Sequence, residues 1–189
     1  MRVAIFGATG FVGNYLVRAL LAAAHEPSVL VRPGSENKLV ERDRCRTTSG
    51  DIGSGQAIRA TLDGCEAVIY NIGLLKEFPR RGITFEEAHF AGVKRVVEAA
   101  QDLGVQRFLL MSANGVRGDG TAYQQTKFLA EQHLGFPELG DDLLGKILPE
   151  IFGQLFVHRA LGPFVEAEDT LAGDAVPPVG CPQPTHDIQ

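Results

Sequence analysis

Tyr123 and Lys127 stand four residues apart within Thr121 to Leu134, a stretch whose pattern predicts a helix, so both side chains fall on one helix face. Such a pair is suited to moving a proton. A phenol ordinarily keeps its proton up to about pH 10, and an ammonium beside it favours the phenolate, which brings proton exchange within reach of neutral pH. At the other end of the chain Gly7, Gly10 and Gly13 follow an apolar run, Arg2 to Phe6, and open an amphipathic stretch. Strand, glycine turn and helix in that order form a phosphate cradle. Gly7 allows the sharp turn, Gly10 keeps a Cβ out of the path of a pyrophosphate, and Gly13 lets the helix lie close on the strand. Backbone amides at the helix start and the helix dipole favour negative charge, which makes Gly7, Thr9, Gly10, Phe11, Val12 and Gly13 the candidate pyrophosphate contacts.

The elements that carry these residues alternate along the chain. Val12, Leu16 and Leu20 share a helix face with Val17 and Leu21 beside them, and this first helix is expected to end near Ala24. Ser28 to Arg32 reads as the second strand, Cys45 to Ser49 as a weaker third, Ser54 to Leu62 as a short helix and Ala67 to Asn71 as the fourth strand. An irregular segment, Ile72 to Thr84, precedes a helical pattern from Phe85 to Leu103, and Arg107 to Met111 is the fifth strand. This order predicts an α/β fold, a doubly wound parallel sheet with helices on both faces and a ligand crevice at the carboxyl ends of its strands. Asp141 to Phe156 has an amphipathic pattern interrupted by Pro149 and Gly153, and the Pro- and Gly-rich stretch from Gly173 to Gln189 is expected to be disordered.

Composition narrows the function. The chain has 189 residues, is 44% hydrophobic and carries a net charge of −5 with interspersed signs, which suits one buried domain and gives no footprint for nucleic acid. Small-molecule chemistry is expected. Cys45, Cys65 and Cys181 are three and far apart, so neither a disulfide framework nor a zinc site is indicated, and a cytoplasmic location fits. The histidines, His25, His89, His133, His158 and His186, lack metal-ligand spacing and read as surface or helix-face residues, so no metal is expected. The first twenty-four residues superficially resemble a signal peptide, but glycines, Asn14 and Arg18 interrupt the apolar run; no stretch reads as a membrane span.

Taken in order, VAIFGATGFVG, SVLVRPGS, Gly50-Asp51, Asn71 to Gly73, GVQRFLLMSANG and the YQQTK of Tyr123 to Lys127 resemble the atypical extended short-chain dehydrogenase/reductases. The likeness is to bacterial relatives of the NAD(P)H-binding accessory subunit of respiratory complex I, in which a segment like Leu75 to Glu87 recurs. It covers about residues 1 to 134, an NAD(P)-binding Rossmann domain, and stops in a divergent or truncated segment, 135 to 189, where the family's sixth strand and substrate-binding region are not recognisable. The resemblance implies that Tyr123 is the acid/base, that Lys127 also holds the nicotinamide ribose, that Asp51 and Ile52 contact adenine, and that Asn71, Ile72 and Gly73 run along the cofactor's ribose. It also asks for a hydroxyl just past the fifth strand. Ser112 stands there, with a catalytic role and a strand-capping role both open.

Arg32 ends the second strand where NAD-preferring domains carry an acidic residue, so NADP(H) is favoured over NAD(H). The charged loop Leu75 to Gly82 reads either as a solvated connection or as a lid over the nicotinamide. Two functions stay open. One is an NADP(H)-dependent oxidoreductase or sugar-nucleotide epimerase/dehydratase-like enzyme with an unknown small-molecule substrate; the other is a non-catalytic NADPH-binding module acting through a protein partner.

Overall fold

Phe6 and its neighbours in Arg2–Phe6, strand β1, are almost wholly buried, as expected for the central strand of a parallel sheet covered on both faces. The computed structural model describes residues 1–134 and 158–161. Around β1 lie β2 (Glu26–Val31), β3 (Arg46–Ser49), β4 (Ala67–Tyr70) and β5 (Arg107–Leu110), in the order β3-β2-β1-β4-β5, all parallel. A sixth strand, β6 (His158–Leu161), pairs antiparallel with β5 at the edge. No strand was expected past residue 135, because HRAL lacks the β-branched, alternating pattern that marks one.

Helices cover both faces. Helix α1 (Phe11–Ala22) buries Leu16 and Val17 against Val3, Ile5, Val29, Val31 and Ile69. Helices α2 (Gly55–Leu62), α3 (Gly92–Asp102) and α4 (Ala122–His133) supply the opposite core, where Ile58, Leu62, Val93, Val97 and Ala130 meet Phe6, Val68, Tyr70, Phe108 and Leu110. The doubly wound parallel sheet is therefore the architecture of the described residues.

Local sequence explains the helix starts. Ser54 caps α2 by accepting from the Ala57 amide, and Thr121 caps α4 in a reciprocal box with Gln124. Gln124 and Gln125 then donate to the Gly115 and Gly120 carbonyls, which fastens the loop before α4 and fixes where Tyr123 emerges.

One element departs from expectation. The single helix read across Phe85 to Leu103 is instead a π-helical turn, Glu86–Ala91, running into α3. Beneath it the buried Tyr70 hydroxyl donates to the Ala88 carbonyl at 2.7 Å, tying the end of β4 to the turn. The amphipathic stretch 141–156 and the Pro- and Gly-rich segment 173–189 lie outside the described residues.

Candidate active site

The order of strands reverses between β1 and β4, so their carboxyl ends open the crevice where ligands bind in such sheets. Gly7 turns the chain out of β1 with φ of +99°, and a Cβ there would lie 2.8 Å from the Asn71 carbonyl group. Only glycine fits. Asn71 follows β4, donates its amide to the Phe6 carbonyl at 2.8 Å and directs Nδ2 to the Gly7 carbonyl at 3.5 Å. Gly13 is equally constrained, since a Cβ would come within 2.6 Å of Ala8 Cα and closer still to the Gly7 carbonyl oxygen.

Gly10 differs from both. A Cβ there would meet only the Gly7 oxygen at 3.5 Å, ordinary contact, so the protein itself leaves this space open. Gly10 is the N-cap of α1 and no side chain caps the helix, which leaves first-turn amides available to an anion. These features fit a dinucleotide pyrophosphate. Around the turn Thr9 is half-buried, Phe11 is 80% exposed with its ring edge-on to Tyr15, and Val12 packs inward on the α1 core, leaving its backbone for a ligand.

The residues expected at the adenosine end separate into two kinds. Arg32 is exposed just past β2, and among the described residues its side chain has no hydrogen-bond or ion-pair partner. Asp51 is exposed too, with Oδ1 accepting the Gly53 amide at 3.0 Å. Ile52 points the other way: its side chain joins the α2–α3 core and its carbonyl accepts from Arg95 Nε at 3.0 Å, so it is committed to packing. Gly73 is exposed, with nothing near a would-be Cβ.

At the opposite end, Lys127 is 2% exposed and its ammonium donates to the Met111 carbonyl at 2.7 Å and, more distantly, to the Ile72 carbonyl at 3.4 Å. It bridges the ends of β4 and β5. Burial lowers its pKa to about 8, opposed by the carboxylate of Glu131. Ser112, next to Met111, is 8% exposed and its hydroxyl oxygen has no hydrogen-bond partner among the described residues. A buried hydroxyl left unsatisfied costs about 1–3 kcal/mol and asks for a ligand partner.

Tyr123 is half-buried in the first turn of α4, one turn before Lys127. Its ring stands edge-on to two rings of the π-helical turn region, His89 at 5.1 Å and Phe85 at 5.7 Å, which themselves stack at 5.5 Å. His89 was expected at a surface or on a helix face; it is 1% exposed, accepts the Leu74 amide at Nε2 (2.9 Å) and lies 3.1 Å from Thr126 Oγ1 through Nδ1. Desolvation, with the Lys127 charge nearby, lowers its pKa to about 3, so it is neutral. Sequence reasoning left His89 out of the site, although its spacing to Val93 and Val97 places it on the buried face.

The loop Leu75 to Gly82 closes on itself through a bridge between Phe78 and Ile83, with Pro79–Arg81 as a 3₁₀ turn. Glu77 accepts the Phe85 amide at 2.7 Å, which anchors the loop to the site, while Leu75 stays 87% exposed. Among the described residues no helix is long and apolar enough to cross a membrane.

Comparison with known proteins agrees with this geometry. A ceramide reductase of Caulobacter vibrioides is 36% identical over 115 residues, 61% of this chain and 35% of that protein. The mitochondrial NADH-ubiquinone oxidoreductase 40 kDa subunit of Neurospora crassa is 28% identical over 146 residues, 71% of this chain and 37% of the subunit. Among solved structures, a short-chain dehydrogenase/reductase superfamily protein from Agrobacterium tumefaciens with bound NAD superposes with a TM-score of 0.59 at 22% identity, covering 72% of this chain and 44% of that one. The chain thus spans little more than a third of the length of these two relatives. A family model described as NAD(P)H-binding matches residues 7–135, and the chain, a Rossmann fold, belongs to that family.

Proposed function

We propose that the chain is the cofactor-binding part of an NADP(H)-dependent oxidoreductase that interconverts a carbonyl and an alcohol, in the cytoplasm. The observation that carries this reading is Lys127, a buried ammonium on the carbonyl of Met111, one helical turn from Tyr123, with Ser112, whose hydroxyl has no partner among the described residues, next in the chain after Met111. When bound, the nicotinamide supplies or accepts the hydride. Tyr123 gives the proton to the carbonyl oxygen, or takes it from the alcohol in the reverse direction. Ser112 donates a hydrogen bond to that same oxygen and so satisfies its own orphaned group. Lys127 holds the ribose and keeps positive charge beside the phenol at neutral pH, since its pKa stays near 8.

Gly7, Thr9, Gly10, Phe11, Val12 and Gly13 hold the pyrophosphate, Asp51 borders the adenine with the core-packed Ile52 behind it, and Asn71 and Gly73 line the ribose. Arg32, unpaired among the described residues, takes the 2′-phosphate. NADPH is therefore the preferred cofactor.

A second reading has its own support. The Neurospora crassa relative is a subunit of NADH-ubiquinone oxidoreductase, which favours a non-catalytic NADPH-binding module with a protein partner. Calorimetric titration with NADPH and NADH, followed by NADPH consumption against ceramide-type ketones, quinones and sugar nucleotides, separates the two. Tight NADPH binding with turnover supports the enzyme; binding with no turnover on any substrate supports the module; no binding defeats both.

A further inference from the structure

His89 is a titratable group only 1% exposed that the proposed reaction does not use, and both of its ring nitrogens are engaged. Leu74 can offer Nε2 only an N–H, so Nε2 carries the lone pair and Nδ1 the hydrogen. Thr126 Oγ1, 3.1 Å away, accepts that hydrogen and passes its own to the Ala122 carbonyl at 2.9 Å or the Tyr123 carbonyl at 3.1 Å. The imidazole is held from both sides, by the loop after β4 and by α4. Its ring plane is fixed as a result, and it stacks with Phe85 to form the surface against which the Tyr123 ring stands at 88° and 86°.

We propose that His89 is a positioning residue for Tyr123: its doubly tethered imidazole holds the Tyr123 ring in one orientation and couples that orientation to the Leu74 loop. His89 lies in the π-helical turn, which carries it between Leu74 and α4 and runs directly into α3. The turnover arm of the test rests on the catalytic reading of Tyr123, whereas the spectroscopic arm does not.

The test uses protein labelled with carbon-13 at the tyrosine Cζ, which gives one signal for each of the three tyrosines, with Tyr123 assigned by its loss in Tyr123→Phe. Nitrogen-15 spectra of the unmodified chain should show His89 protonated at Nδ1 and bare at Nε2; the opposite tautomer overturns the proposal. His89→Gln should broaden or split the Tyr123 signal, and Thr126→Val, which removes the Nδ1 acceptor at nearly constant volume, should do so in the same direction. A Tyr123 signal as single and sharp in both variants as in the unmodified chain overturns it. Where a substrate turns over, His89→Gln should slow single-turnover NADPH oxidation about tenfold or more, with NADPH affinity within about twofold. In a Tyr123→Phe background the same change should cost nothing further; an equal loss in both backgrounds marks a merely structural role and overturns the proposal. Should no substrate turn over, the enzyme reading fails and the spectra alone decide the role of His89.

Discussion

The Lys127 ammonium donates to the Met111 carbonyl at 2.7 Å, so a helix that begins only at Ala122 is locked to the carboxyl end of β5 by a charge-assisted bond inside the protein. Tyr123, one turn earlier, inherits that placement. Lys127→Ala should therefore damage two things at once. NADPH affinity should fall about tenfold or more, and the melting temperature should drop, because the Met111 carbonyl loses its partner. Titration and thermal unfolding of the same variant check both; an unchanged affinity contradicts the ribose-holding role.

Gly13 and Gly10 of the first turn should respond differently to added bulk. Gly13→Ala forces a Cβ against Ala8 and the Gly7 carbonyl and should destabilise the fold by about 1–3 kcal/mol or more. A Cβ at Gly10 makes only ordinary contact with the Gly7 oxygen, so in Gly10→Val the fold should persist while NADPH binding falls below calorimetric detection. Unchanged affinity in folded Gly10→Val would remove the pyrophosphate assignment.

Cofactor choice should hinge on Arg32. Arg32→Asp replaces an exposed guanidinium with a charge that repels a 2′-phosphate, so NADPH should weaken about tenfold to a hundredfold and NADH far less. Parallel titrations decide it, and a chain that already prefers NADH contradicts the assignment.

Two depressed bases set the pH dependence of stability. For His89, with a folded pKa near 3 against an ordinary 6.5, the unfolded chain binds the extra proton between those values. Stability should fall as the pH drops from about 6.5 toward 3. Lys127 acts in the same sense higher up, with stability rising from about pH 8 to 10.5. His89→Gln removes a titrating group, so denaturant unfolding across pH 3–6.5 should show a flatter loss than in the unmodified chain.

Much of the fold was legible because parallel strands here are short apolar runs between glycine or polar breaks. The five parallel strands lie within two residues of those expected, and β2 begins earlier because Glu26 and Pro27 pair with Arg2 and Val3 at its start, where a proline is tolerated. The π-helical turn was not legible, since its inserted residue leaves the apolar spacing of α3 intact. His89 carried a signal, its position one turn before Val93 and two before Val97, but an imidazole is polar enough to be read as surface. Ser112 could not be decided from sequence, because only the three-dimensional fold shows that its hydroxyl is buried with no partner among the described residues. The β6 strand left no pattern; its edge pairing with β5 depends on backbone hydrogen bonds rather than on side-chain alternation.

The most direct test of the account is single-turnover NADPH oxidation by the unmodified chain and by Tyr123→Phe, with the first substrate found to react and with NADPH affinity measured on both. Phenylalanine keeps the ring that packs on His89 and Phe85 and removes only the hydroxyl. The account predicts a rate lowered by about a hundredfold or more at nearly unchanged affinity, the size expected for losing a general acid. A rate equal to that of the unmodified chain would contradict it.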